Sequence, residues 1–450
     1  MKIANILKRV PFHICYMLLC AAALSTQQAN ATDLLQVYRM AQQHDAQYQA
    51  AVAQNLASRE QKPQAIAQLL PNVSLSANTS LSHQTTSGGF NFGGSNVFDT
   101  NTHGYTFSVT QTVFQWDRYL QLKKADASIA QSDAVLKVAK LDLIVRLATA
   151  YFNILAAEDN LAFAKADTKS LSRQLDQTNQ RFEVGLTAIT DVQEARSGYD
   201  RAAAAQIVAE NDVDNTREAL REIIGNYMTN FATLKEEIPL VKPDPDSIDE
   251  WTQTALKQNL NIIAEMNAVD AAREQVKIYR AGHLPTLDLT GSKDYSISSG
   301  GRFGANKGKN DTIRLQLSVP LYSGGIVNSR TRQAAHQLDQ ELEKLIQTQR
   351  ASQKDTRQSY LGVISGISQV EAYKQAVVSS QTALQAVQAG FEVGTRTAVD
   401  VVKAESDLSQ NKKLYAQSRY TYLINTLKLK QAAGILSEDD VAKINQLLQK

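Results

Sequence analysis

Beyond residue 20 the sequence has no cysteine. Disulfide staples, thiolate metal sites and a cysteine nucleophile are thereby excluded from most of the chain. Histidine is scarce, at 6 in 450 residues, and His44, His283 and His336 are scattered. No Walker loop, nucleophile motif or paired metal ligands stand out, so no catalytic residue, metal or cofactor is expected. Charge of one sign is also lacking. With 47 basic residues against 45 acidic ones, nothing suggests nucleic acid as a partner. After residue 31 no apolar run approaches the roughly 20 residues of a membrane helix. Gly and Pro are absent between Gly104 and Gly185.

What is present begins with a leader. Lys2, Lys8 and Arg9 precede an apolar run from Ile14 to Leu24, and Ala29-Asn30-Ala31 has the small-x-small form of a cleavage site. Residues 1–31 are read as a signal peptide and Thr32 as the mature start. Cys15 and Cys20 leave with it. Leu18 and Leu19 before Cys20 argue against lipid attachment. Once the leader's three basic residues are removed, the two signs cancel to within one charge.

The rest repeats itself. Ser58-Arg59-Glu60-Gln61 precedes Leu70-Pro71-Asn72-Val73-Ser74-Leu75. Ala272-Arg273-Glu274-Gln275 precedes Leu284-Pro285-Thr286-Leu287-Asp288-Leu289, at an offset of 214 in both places. Phe182-Glu183-Val184-Gly185 recurs as Phe391-Glu392-Val393-Gly394, at an offset of 209. The expected organisation is a first repeat over 32–235, a linker over 236–250 and a second repeat over 251–450. Each repeat holds a helix, a strand hairpin (72–114 and 286–322) and a long helical hairpin, with tips near 185 and 394. The linker carries Pro239, Pro243 and Pro245, and Ser247 with Glu250 spells a capping box.

Four segments alternate with period two. Val73, Leu75, Ala77 and Leu81 oppose Ser74, Ser76, Asn78, Ser80 and Ser82. Tyr105, Phe107, Val109 and Val113 oppose Thr106, Ser108, Thr110 and Thr112. Leu287 and Leu289 oppose Asp288, Thr290 and Ser292. Ile313, Leu315, Leu317, Val319 and Leu321 oppose Thr312, Arg314, Gln316 and Ser318. Such strands suit an outer-membrane barrel with an apolar outside and a polar lumen. They equally suit a half-exposed soluble sheet. Four strands cannot close round a lumen, and an open edge is intolerable in lipid. If the strands lie in a membrane, the chain must oligomerise. The Gly-rich loops 88–94 and 299–304 fit exposed hairpin ends, and His83 and His103 beside the first are read as solvated rather than as metal ligands.

A helix from about Asp117 to Phe182 would be roughly 99 Å long. Leu141, Ile144, Ala148, Tyr151 and Leu155 step by three and four, as do Val377, Ser380, Leu384, Val387 and Phe391. This is a coiled-coil seam. Abundant alanine and serine would let each helix pack on two neighbours, forming a wall. A periplasmic coiled-coil adaptor is the alternative. It would need a lipoyl-like β domain between its helices and would not need the strands.

Taken together, these residues resemble the TolC family of outer-membrane efflux ducts over essentially the whole mature chain. The resemblance rests on Gln174-Leu175-Asp176-Gln177-Thr178, Arg181-Phe182-Glu183-Val184-Gly185-Leu186, Ala188-Ile189-Thr190-Asp191-Val192, His283-Leu284-Pro285-Thr286-Leu287-Asp288-Leu289-Thr290, Tyr322-Ser323-Gly324-Gly325, Val393-Gly394-Thr395-Arg396-Thr397 and Tyr422-Leu423-Ile424-Asn425. It implies a mainly α fold with membrane β. A homotrimer would form a twelve-stranded outer-membrane β-barrel, four strands per chain, continuing into a twelve-helix periplasmic α-barrel. By this mapping 187–224 stacks with 252–283, 397–433 stacks with 33–70, and 225–251 with 431–450 forms an equatorial belt. The implied function is a passive exit duct for efflux or type I secretion, not an enzyme. Its implied partners are outer-membrane lipid, a periplasmic adaptor and an inner-membrane pump of RND, ABC or MFS type.

The resemblance also implies site residues. Val184, Gly185 and Leu186, with Val393, Gly394 and Thr395, map to the adaptor-docking tips. Arg396 maps to a gate arginine that pairs with Thr190 and Asp191 on a neighbouring hairpin. Phe391 stands where the family's gate has a tyrosine, so one hydroxyl bond is lost. Asp400 maps to an acidic pore ring. Lys403 maps to a second ring with its charge reversed.

Overall fold

The computed structural model describes residues 31–85, 97–300 and 304–449. The leader through Asn30, the loop Gly88–Gly94 and residues 301–303 of the second loop lie outside the described residues. Three short helices come first: α1 (Leu34–His44), α2 (Ala46–Arg59) and α3 (Gln61–Ala67). Strands β1 (Asn72–Thr85) and β2 (Val97–Phe114) follow, then a helical hairpin of α4 (Trp116–Glu183) and α5 (Ile189–Ile224). After the two-residue β3 (Thr233–Leu234) the order recurs as α6 (Ile248–Gln258), α7 (Leu260–Arg280), β4 (Thr286–Gly300), β5 (Asn306–Ser318), α8 (Ile326–Glu392) and α9 (Ala398–Ala433). Helix α10 (Glu438–Asn445) and β6 (Leu448–Gln449) follow.

The halves share their breaks. Residues 33–70 and 252–283, mapped as unbroken spans, share one at matching positions, and 33–70 has a second at Glu60. At Asp45 the backbone turns extended and the carboxylate accepts from Tyr48 N at 2.7 Å, starting a new helix. At Asn259 the side chain caps Asn261 N and Ile262 N in the same way. The two positions are 214 apart, as are the preceding caps Asp33 and Ser247. Ser247 forms only half of its expected box: its hydroxyl accepts from Glu250 N at 3.4 Å, with no return bond. Strand β5 ends at Ser318, short of the expected 322, because Pro320 cannot supply a ladder N–H.

Helix α4 has 68 residues, about 102 Å at 1.5 Å per residue. Its counterpart in the second half, α8, has 67 and contains glycines where it meets α9. A Cβ added at Gly362 would lie 3.3 Å from Asn425 Nδ2, so the bare backbone lets the two helices approach. Towards the tips the helices lie in the row α5, α4, α9, α8; towards the sheet they lie in the row α1–α3, α4, α7, α8. No described helix is long and apolar enough to cross a membrane.

The four long strands form one antiparallel sheet in the order β1-β2-β4-β5. The register places odd-numbered residues of every strand on one face and even-numbered residues on the other, except that a register shift after Thr112 sets Phe114 opposite Leu287 on the odd face. The even face carries Ser, Thr, Asn, Gln, Gly, Asp288, Asp294 and Arg314 wherever side chains are described. In β2 the even positions Thr102, Thr106 and Ser108 are half-buried, whereas Asn101, His103, Tyr105 and Phe107 are exposed. Crowding on the polar side marks it as concave. The apolar face is left open: Leu75 is 71 % exposed and Ile313 86 %.

The core lies midway along α4. Tyr38, Tyr151, Phe152, Leu143 and Ile144 are fully or almost fully buried there with Phe231, Tyr420 and Leu448. Tyr151 stands edge-on to Phe152 and Phe231, and its hydroxyl lies 2.8 Å from Ala232 O and 3.1 Å from Thr32 O. The pair β3–β6 completes this belt.

Candidate functional site

At the far end of the helices, each hairpin reverses through a glycine with positive φ. These are Gly185 at 75° and Gly394 at 78°. Nothing lies within 4 Å of a Cβ built on either, so backbone conformation rather than space requires glycine. Leu186 N bonds to Arg181 O at 2.8 Å and Thr395 N to Gly390 O at 2.8 Å, closing Schellman-type turns. Val184, Leu186 and Val393 are 69–77 % exposed. The tips thus present apolar side chains that this protomer leaves uncovered.

Within one protomer the gate residues separate into two groups. Thr187 Oγ1 donates to Asp191 Oδ2 in a short bond on the first tip, and Thr190 is exposed beside it. On the second tip Arg396 is exposed and in no ion pair among the described residues. The structure does not bring Arg396 to Thr190 or Asp191 in the same copy. Phe391 does cross between hairpins. The Arg181 guanidinium lies 4.6 Å from its ring centroid, and Arg181 Nη1 is 3.5 Å from its carbonyl oxygen. Arg181 was not among the expected gate residues. Its position one turn before Gly185 was visible in the sequence, but its cross-hairpin partner was not.

Asp400 is occupied locally. Its Oδ2 accepts from Thr397 N and Thr397 Oγ1, both at 3.0 Å, while Thr397 Oγ1 caps Asp400 N. The backbone bond from Thr397, with its hydroxyl bond, holds the carboxyl below the ordinary aspartate range. Lys403, one turn on, is exposed and forms no ion pair with Asp400. Its charge and that of Arg396 add to the lowering.

Above the tips, α4 and α9 meet along a seam of carboxyl groups. Ser170 Oγ donates to Glu405 Oε1 at 2.7 Å, while Glu405 Oε2 is buried without a partner. Burial, followed by the nearby Asp167 charge, pushes Glu405 up against the Ser170 bond. Burial likewise raises Asp167 and Asp159; the latter accepts from Tyr420 OH at 2.7 Å. The signal was present in the series Ala398, Val401, Val402, Glu405, Leu408, where an acid occupies an interior helix position. Among the described residues no group of three or more His, Cys, Asp or Glu could hold a metal ion. His83 Nδ1 lies 2.6 Å from Asp99 Oδ1, and His103 is four registers away.

The chain is 38 % identical over 434 residues to the outer membrane protein TolC of Escherichia coli (strain K12), covering 94 % of this chain and 86 % of that one. It is 29 % identical over 425 residues to the alkaline protease secretion protein AprF of Pseudomonas aeruginosa, covering 93 % and 88 %. The fold superposes on the Campylobacter jejuni CmeC outer membrane channel with a TM-score of 0.78 at 17 % identity, over 93 % of this chain and 90 % of that one. Residues 37–226 and 251–435 match the family described as Outer membrane efflux protein. The chain therefore belongs to the outer membrane efflux protein family.

Proposed function

We propose that three copies of this chain close into an outer-membrane channel that serves as the exit duct of efflux or type I secretion. One observation carries this reading: the open edges of sheet and wall line up. β1 is an unpaired edge, and the chain enters it from the edge helices α1–α3; β5 is the other edge and leads into α8, the other end of the wall. Exposed apolar residues mark both flanks, Leu56 and Ile207 on one and Leu361 and Val378 on the other. Edges that differ from each other join head to tail, which generates a ring when the rotation closes. Closure satisfies the backbone of β1 and β5 in lipid. The odd face of the sheet then meets lipid and the even face lines a hydroxyl-rich lumen. Residues 32–235 and 251–450 act as two copies of one half, joined by 236–250.

At the tips, Arg396 of one copy pairs with Thr190 and Asp191 of the next and holds the duct shut. A periplasmic adaptor covers Val184, Leu186 and Val393 and breaks that pair, with an inner-membrane pump beneath. Three copies of Asp400 ring the pore, and Lys403 weakens their field. The adaptor alternative has less support, since the described strands form the one-sided sheet and the short β3–β6 pair, with no further β domain. The test is light scattering of the detergent-extracted protein with planar-bilayer recording. A trimer with discrete channel steps is expected; a monodisperse monomer with full channel activity refutes the architecture.

A further inference from the structure

The outward face of the sheet is zoned along its height. Register sets Ile313 level with Gly291, Val109 and Val73. One row towards the loops come Asp311, Lys293, Phe107 and Leu75; next Lys309, Tyr295, Tyr105 and Ala77; then Lys307, Ile297, His103 and Thr79. Towards the helices, Ile313, Leu315, Leu317, Val319 and Leu321 are all exposed and apolar. The ten steps from Asp311 to Leu321, at about 3.3 Å each and tilted about 40°, rise about 25 Å. That equals the height of a barrel's lipid-facing band. Its lower border carries exposed Phe114, Trp116, Tyr119 and Tyr322, with Trp116 and Tyr119 stacked at 5.3 Å. Its upper border carries Tyr105 and Tyr295, 5.3 Å apart. Rings at both borders mark the two interfaces.

The charges from one row below the upper border to the loops do not cancel. Lys293 Nζ lies 3.2 Å from Asp311 Oδ1, and His83 pairs with Asp99. Those two aspartates are the outward-facing acids among the described strand positions. Lys307 and Lys309 are exposed and in no ion pair among the described residues. Strand β1, which a neighbouring copy would lay beside them, offers Leu75, Ala77, Thr79, Leu81 and His83 on that face, and no acid.

We propose that Lys307 and Lys309 form a binding site for the phosphate groups of anionic lipid headgroups in the outer leaflet, repeated three times round the barrel. The site rests on the closed-barrel reading above. Lys309, level with Tyr295, and Lys307, one row beyond it, hold ammonium groups at the aromatic border, where they meet phosphates at their own depth, and neutral headgroups offer them no net charge in return. The lipid thereby becomes a ligand that fixes the barrel's height.

The test compares wild-type trimer with a Lys307→Gln/Lys309→Gln variant in nanodiscs of phosphatidylglycerol or phosphatidylcholine, by thermal unfolding and native mass spectrometry. Phosphatidylglycerol should raise the wild-type Tm and remain bound, and the variant should bind it about tenfold more weakly. Phosphatidylcholine should serve both proteins equally. An equal rise in the variant, or with phosphatidylcholine, overturns the proposal. An equal rise from inorganic phosphate in detergent assigns the lysines to a free anion and overturns it too. Size-exclusion is run alongside. Wild-type protein eluting as a monomer removes the barrel, and the site with it; an intact trimer without lipid preference removes the site alone.

Discussion

The belt and the tips are built from the same helical hairpins, yet they are held by opposite means. In the belt, α4 carries fully buried Tyr151 and Phe152, and Lys430 Nζ lies 2.6 Å from an Asp440 that is 6 % exposed. At the tips, the contacts are a cation–π pair, a local Thr187–Asp191 bond and the Thr397–Asp400 box, around exposed Val184 and Val393. A duct that must stay assembled while one end opens needs this division. Burial makes a permanent joint, and exposed polar contacts of about 1 kcal/mol or less make a releasable one.

Phe152→Ala attacks the permanent joint and should have the largest effect. Truncating a fully buried phenylalanine costs about 3–5 kcal/mol. The variant should lose heat-resistant trimer on gels, and the trimers that survive should conduct like wild type. A conductance change at unaltered stability would erase the distinction between belt and tips.

Arg396→Ser should do the reverse, raising single-channel conductance several-fold with Tm unchanged. Asp191→Ala should match it, and the double variant should add little, since both break one contact. Arg181→Ala removes a cation–π contact of about 0.5–2 kcal/mol and should open the tip less than Arg396→Ser does. Wild-type conductance in all three, with trimers intact, would place the lock elsewhere.

The seam above the tips should respond to pH. Glu405 titrates above its ordinary range because of burial. Its contribution to the α4–α9 contact is therefore present in full below the unfolded glutamate value, about 4.3, and lost as pH rises through the raised folded value. Asp440 in the belt carries the opposite sign. The Lys430 and Ser437 bonds outweigh the burial of Asp440 and lower it, so its contribution is lost as pH falls. Hydrogen exchange over 398–412, corrected for intrinsic rate, should show better protection at pH 5 than at pH 7.5. Glu405→Gln should reduce the difference, leaving the part that Asp167 carries.

The smallest effect is expected at the pore ring. Lys403→Asp should increase cation selectivity modestly in asymmetric salt, because Asp400 is already partly satisfied by Thr397. Unchanged selectivity would show that these side chains do not face the lumen.

What was legible in the sequence follows the same division. Strands could be read because one-sided burial leaves an odd–even signature, and α4 because nothing interrupts it. The breaks at Asp45 and Asn259 were missed although both are capping residues, since a cap inside a helical pattern signals only through the backbone that follows. The Arg181–Phe391 and Ser170–Glu405 contacts join residues 210 and 235 positions apart. Which faces meet there depends on the axial register of two helices, and no local period encodes that.

The belt also fixes an order of events. Thr32 bonds to Asn230 and Ala232, and Leu448 lies opposite Leu234 in the neighbouring ladder. A residue made early and a residue made late thus fasten to one short segment between them. During synthesis that segment waits with half of its partners missing, and the long hairpins have no floor to stand on. The β3–β6 pair therefore cannot close before residue 448 is made.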